Sequence, residues 1–310
     1  MNDLKSLTLP WQLSRFETPA ILLDGGLAIE LQNAGARVDS SLWTAKAIIN
    51  RPEYVIAAHQ AYLNAGAKII STASYQATLK GLVEFGLNDE EAKDVIRQSV
   101  ELAEEARMRS KSDALIAASI GPYGAYLAGG EEYTGAYEIE REELLKFHLD
   151  RLIVIFDTNA DLLAIETIPN CTEIDVLVDI LRARPDVAAW ISLSCKNDQQ
   201  LADGTQLHPI IEKLNTLDNL VAVGVNCCAP DLAGKLAAWL RTATDKPLII
   251  YPNLGQIYNA TTKEWSGEGG SLTDTINHVV ASGTSLVGGC CEVDAKAIAE
   301  LNSHLWKTAD

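Results

Sequence analysis

The chain is predicted to fold as an α/β protein, a single (β/α)8 TIM barrel, and three observations point there. Eight short apolar, β-branched runs recur along the sequence. Amphipathic segments separate them, the alternation that a buried parallel sheet requires. No linker or low-complexity stretch divides the 310 residues, a length that α/β barrels routinely reach as one unit. An open, doubly wound sheet is the alternative arrangement of the same elements.

The elements follow in order. A strand is expected at 20–26 (AILLDGG), after an N-terminal extension at 1–19, with the barrel domain spanning 1–310 as a whole. A helix over 51–66 ends on Gly66, placed as a C-cap glycine, and leads into a strand at 67–75. The helix at 88–110 starts on Asn88 with Glu91 three residues later, a capping-box pattern, and carries Val95, Val100 and Leu102 at helical spacing. Strands at 114–121, 161–167, 188–195, 220–227, 247–253 and 285–291 complete the eight. Helices at 141–160, 172–184, 230–244 and 294–306 lie between and after them. Two long irregular stretches, 121–139 and 254–271, each follow a strand and so would rise from the C-terminal rim, where barrel active sites are built.

Composition narrows the function. At 47% hydrophobic and 22% charged the chain can bury a large core, a composition that disfavours disorder. A formal charge of −17 disfavours nucleic-acid partners and leaves cationic small molecules as easy guests. The N-terminus lacks a signal-peptide pattern and no apolar run approaches the ~20 residues of a membrane helix, so a cytoplasmic protein with no membrane partner is expected. In that compartment the six cysteines should be reduced, and clustered thiols point to metal or catalysis before structural disulfides.

With the strands placed, polar residues fall at their C-terminal ends: Asp24, Thr72 to Gln76, Glu166, Asn226 and Cys227, then Cys290 and Cys291. Thiols from two non-adjacent strands suit zinc, which takes sulfur ligands at about 2.3 Å and leaves one position open in catalytic sites. Core packing and a vicinal disulfide are the competing uses of Cys290 and Cys291, and packing is expected of Cys171 and Cys195. Neighbouring side chains of a regular strand point to opposite faces, so the strand must break for both sulfurs to reach one ion. Gly288 and Gly289 are expected to relax the backbone there and leave room for a substrate. Spacing alone does not choose between Cys227 and Cys228. The dispersed histidines, His59 and His148 among them, read as structural or surface groups.

The combination of LLDGG (22–26), GVNC (224–227) and GGCC (288–291) resembles the homocysteine S-methyltransferase family of zinc barrels. The segments 39–53, 72–78, 119–137, 161–170 and 251–255 are most similar to its single-barrel members that use S-methylmethionine. That resemblance implies a Zn2+ cofactor on Cys227, Cys290 and Cys291, with Cys228 a bystander. It assigns Asp24 and Glu166 to the homocysteine amino group, and backbone groups of Gly25 and Thr72 to the carboxylate. Asn226 would orient the ligand loop or a substrate group. Trp43 would face the sulfonium, since an indole attracts onium groups, with Tyr75, Gln76, Tyr123 and Tyr126 as further candidates for the donor pocket. Gln76 stands where betaine-using relatives carry a tyrosine.

The implied activity is zinc-dependent methyl transfer from S-methylmethionine, with S-adenosylmethionine as a second donor, to the homocysteine thiolate, giving methionine. Betaine or another methyl donor, and a non-catalytic thiol redox or metal-sensing protein, are the alternatives. A glycosidase would use the same carboxylates but leaves the three strand-end cysteines unexplained.

Overall fold

The computed structural model describes residues 20–36, 44–259 and 264–307. Its strands are β1 (Ile21–Leu22), β2 (Ile69–Ser71), β3 (Leu115–Ile120), β4 (Leu162–Ile168), β5 (Ala189–Leu193), β6 (Leu220–Asn226), β7 (Leu248–Tyr251) and β10 (Thr284–Val287), with a hairpin of β8 (Ile257–Asn259) and β9 (Glu264–Ser266) before the last. The main sheet has eight parallel strands in the order β1-β10-β7-β6-β5-β4-β3-β2. The ring closes where Leu23 bridges Ile69 in parallel and the Lys68 amide donates to Leu22 O at 2.7 Å. That closure makes the architecture a barrel and excludes the open sheet.

Alternation along the strands builds two apolar layers. Leu23, Ile69, Leu115, Ala117, Ala164, Trp190, Ala222 and Ile249 fill the barrel interior. Ile70, Ile116, Ile165, Ile191, Val223 and Ile250 face the helices in a larger cluster. Because both faces are buried, the strands read as continuous apolar runs. Two residues beyond Ile69, Ala117, Ala164 and Trp190 the inward positions become polar: Ser71, Ser119, Glu166 and Ser192. The C-terminal mouth is therefore the chemically equipped end.

The capping signals read from sequence are formed. Asn88 Oδ1 accepts from the Glu91 amide at 3.0 Å and the Asn88 amide donates back to Glu91 Oε2 at 2.9 Å, opening helix Asp89–Arg109. Helix Pro52–Ala65 ends on Gly66 at φ 100°, the left-handed region that glycine enters without strain. Several boundaries differ from expectation, among them the strands expected at 20–26 and 67–75, which are Ile21–Leu22 and Ile69–Ser71. Helix Arg141–Phe156 stops before 160, where the Thr158 hydroxyl donates to Ile155 O at 2.6 Å and caps the turn. The final barrel strand ends at Val287, so Cys290 and Cys291 lie beyond it rather than inside a strand running to 291.

A buried polar relay holds the long loop after β3 over the mouth. Arg151, fully buried, donates to Gly121 O and, at 2.9 Å, to His148 Nδ1. His148 is thereby the Nε2–H tautomer and donates to Glu173 Oε1 at 2.7 Å, while burial lowers its pKa. The Tyr123 amide and Tyr137 hydroxyl complete Glu173. Among the described residues no helix is long and apolar enough to cross a membrane.

Candidate functional site

Loops after β6 and β10 bring three sulfurs to one point. The Cys227 amide donates to Tyr251 O at 3.2 Å, the Cys290 amide to Pro252 O at 2.8 Å and the Gly289 amide to Asp24 O at 3.1 Å, so neighbouring strand ends anchor the cluster. The Sγ atoms of Cys227, Cys290 and Cys291 all lie within 4.8 Å of one another. Cys227 and Cys291 are 3.8 Å apart, while Cys227 and Cys290 are joined as a disulfide with Cα atoms 5.3 Å apart. The pairing is thus across the mouth and not between the vicinal cysteines. A tetrahedral ion with metal–sulfur bonds of about 2.3 Å sets its sulfurs about 3.8 Å apart, the Cys227–Cys291 separation. The donor set therefore fits a thiophilic ion.

The neighbouring cysteine points elsewhere. Cys228 is buried in the apolar layer between barrel and helices, with Cys195 packed against it, and burial pushes its thiol up to about 12. Burial likewise pushes the Cys291 thiol up to about 12, so without a cation beside it this group stays protonated at neutral pH.

Strain concentrates at the same rim. Thr167 (φ 62°), Cys227 (φ 48°) and Glu292 (φ 62°) adopt left-handed backbone, and each directly follows Glu166, Asn226 or Cys291. Asn226 clamps this region. Its Oδ1 accepts from the Thr167 amide at 2.9 Å and the Ser192 hydroxyl at 3.0 Å, while Nδ2 donates to Thr167 Oγ1 at 2.8 Å and points at Cys290 Sγ, 3.9 Å away. Gly288 and Gly289 serve differently from the expected relaxed backbone. A Cβ on Gly288 would lie 2.8 Å from Asp24 O, and one on Gly289 2.2 Å from Val293 Cγ1, so these glycines admit the protein's own atoms.

Asp24, Gly25, Thr72, Glu166, Asn226 and the three cysteines all line one cavity, together with Ser71, Tyr75, Gln76, Glu132, Tyr133 and Tyr251. Among the described residues that line it there is no lysine, arginine or histidine. Asp24 accepts from the Ser71 amide at 2.6 Å. Burial, opposed by that bond and reinforced by the charge of Glu166, raises its carboxyl to about 8. Glu166 is also raised by burial and accepts from the Ser119 hydroxyl and, at 3.0 Å, from the Tyr251 hydroxyl. Two carboxylates without a cation among the described residues form a site prepared for a guest that brings one.

The Thr72 amide already donates to Ala117 O at 3.0 Å, and the Thr72 hydroxyl joins Ser74 and the Ser119 amide. Gly25 is packed so closely that a Cβ would meet Val293 O at 2.2 Å. Trp43 lies outside the described residues. Tyr123 and Tyr126, candidates for the donor pocket, are not among the residues that line the cavity and pack edge-on and tilted against Phe147, with Tyr126 donating to Glu84. Ser71, Ser119, Tyr251, Glu132 and Tyr133 were not expected as site residues. Counting two residues back or forward from each inward apolar position would have found Ser71 and Ser119; the loop acid Glu132 carries no such signal.

A closed parallel barrel with buried carboxylates at its C-terminal mouth, beside three thiols that could hold a metal ion, defines an α/β-barrel enzyme. Within that class the chain belongs to the homocysteine S-methyltransferase family, whose profile matches residues 21–305. A homocysteine S-methyltransferase of Escherichia coli K12 is 39% identical over 293 residues, covering 92% of this chain and 94% of the relative. The crystal structure of the E. coli homocysteine methyltransferase MmuM in its metallated form superposes with a TM-score of 0.86 at 37% identity, over 95% of this chain and 99% of that one. Its oxidized form gives the same TM-score at 38% identity and the same coverage.

Proposed function

We propose that this enzyme transfers a methyl group from S-methylmethionine to the sulfur of homocysteine, at a zinc ion held by Cys227, Cys290 and Cys291. The observation that carries the reading is the group of three sulfurs within 4.8 Å, opening on a cavity whose described lining includes the buried carboxyl groups of Asp24, Glu132 and Glu166 and no basic residue. Zinc bound by three thiolates supplies deprotonation of an incoming thiol, which at an ordinary pKa of about 8.5 is only a few per cent thiolate at pH 7.

The chain's own groups bind and orient. Asp24 and Glu166 take the homocysteine ammonium, and its charge returns both carboxyls to their ionised form. Ser71, Ser119 and Tyr251 hold those carboxylates from behind with neutral hydrogen bonds, so the pair keeps its negative charge for the guest. Asn226 fixes the Thr167 peptide and stands against Cys290, while Gly25 and Thr72 border the amino-acid end. The sulfonium donor passes its methyl to the homocysteine sulfur and departs as a neutral thioether, so the bond to carbon breaks without a proton donor. Alignment and electrostatics then carry the rate. A cavity of carboxylates and thiols attracts onium donors and repels anionic ones.

The Cys227–Cys290 disulfide supports a second reading, a thiol redox protein without turnover. A donor panel under reducing conditions, with homocysteine and S-methylmethionine, S-adenosylmethionine, betaine or methylcobalamin, separates the readings. The largest kcat/KM is expected with S-methylmethionine. A preference for betaine or methylcobalamin overturns the donor assignment, and no turnover with any donor favours the redox protein.

A further inference from the structure

Gln76 and Glu132 are among the polar groups of the cavity that the chemistry above leaves without a role. Gln76 and Glu132 are each 4% exposed, and Gln76 Oε1 and Glu132 Oε2 are buried with no hydrogen-bond donor. The Gln76 orientation is not arbitrary. Its Nε2 donates to Ala125 O at 2.8 Å, and the flipped amide would set two oxygens against each other.

The short helix Tyr123–Leu127 supports both residues. It receives the Gln76 amide at Ala125, and its Gly124 packs so closely on the 131–132 peptide that a Cβ there would lie 2.7 Å from Glu132 N. Among the described residues that line the cavity, these are the buried side-chain oxygens without a partner. Asp24 and Glu166, by contrast, accept from Ser71, Ser119 and Tyr251.

Buried acceptors need donors, and one of these two is a carboxyl group in a cavity with no basic side chain among its described lining residues. The matching guest is therefore a cation that carries N–H groups. A sulfonium has none, and neither has a quaternary ammonium; a primary ammonium has three. Asp24 and Glu166 serve the acceptor's ammonium in the proposed reaction, which leaves the donor's. We propose that Gln76 Oε1 and Glu132 Oε2 form the subsite for the primary ammonium of the methyl donor, selecting an amino-acid sulfonium over donors that lack N–H groups. This inference rests on the proposed sulfonium-to-homocysteine transfer and deepens it.

The test uses the zinc-loaded, full-length enzyme with two sulfonium donors, S-methylmethionine and its des-amino analogue (3-carboxypropyl)dimethylsulfonium. In the unaltered enzyme, removal of the amino group should lower kcat/KM by about 10-fold or more. Glu132→Gln should raise the KM for S-methylmethionine by a similar factor, leave the homocysteine KM within about twofold, and shrink the difference between the two donors. Gln76→Leu should act in the same direction. Equal use of both donors by the unaltered enzyme overturns the subsite while leaving the proposed transfer intact, and this comparison holds even if a variant fails to fold. A Glu132→Gln variant that shifts the homocysteine KM and not the donor KM also overturns it. Failure of the unaltered enzyme on both sulfoniums overturns the transfer itself.

Discussion

Asp24→Asn should make the metal-free protein more stable at pH 8 while removing its grip on homocysteine. The carboxyl is 6% exposed, and burial raises it from an ordinary 3.8 to about 8. The sign follows from linkage: between those values the folded state keeps a proton that the unfolded chain has lost, so stability falls as pH rises from about 4 to about 8 and is level above that. At about 1.4 kcal/mol per unit, the displacement amounts to about 6 kcal/mol as an upper bound, and on the order of 2–4 kcal/mol once water and local relaxation are allowed. Asparagine cannot ionise, so its variant should lose that slope. Its side-chain oxygen can still accept from the Ser71 amide, as Asp24 Oδ2 does at 2.6 Å. Urea denaturation at pH 5, 6, 7 and 8 measures the slope directly. A variant whose stability declines with pH as steeply as the parent would refute the assignment of Asp24 as a buried, uncompensated carboxylate.

Further outcomes follow from the packing of the rim. Asn226→Ala strands the buried Thr167 amide at its left-handed turn and frees Cys290; a loss of about 2–4 kcal/mol in denaturation and weaker metal retention are expected, and an unchanged midpoint would contradict the clamp. Gly25→Ala drives a methyl to 2.2 Å from a backbone carbonyl, which should cost about 2 kcal/mol or more and appear as a lowered Tm; an unaltered Tm would show that the loop yields. Glu173→Ala removes the acceptor shared by His148, Tyr123 and Tyr137, and a loss of about 3 kcal/mol with a loosened 121–139 loop is expected in hydrogen exchange; protection equal to the parent would contradict the relay.

The parts legible in the sequence were those with local causes. Asn88 with Glu91, and Gly66 after its helix, announce helix ends because caps are set by neighbours in the chain. The eight strands were legible because double burial makes each a continuous apolar run. Residues whose role depends on register were not. Ser119 and Tyr251 become Glu166 partners only when β3, β4 and β7 are aligned, which no local pattern specifies. Glu132 sits in an acidic, glycine-rich loop that reads as solvated until the 3-10 turn Glu131–Tyr133 folds it inward. The choice of Cys227 over Cys228 likewise depends on the left-handed backbone at Cys227, which sends successive thiols to the mouth and to the core.

Metal content is the most direct test of the central claim that Cys227, Cys290 and Cys291 hold one zinc ion. Protein purified under reducing conditions should carry about one zinc per chain, as should Cys228→Ser, while Cys227→Ser, Cys290→Ser and Cys291→Ser should each retain little, since a three-thiolate site does not survive loss of a ligand. Zinc retained at full stoichiometry in those three variants, or absent from the unaltered reduced protein, would contradict the account.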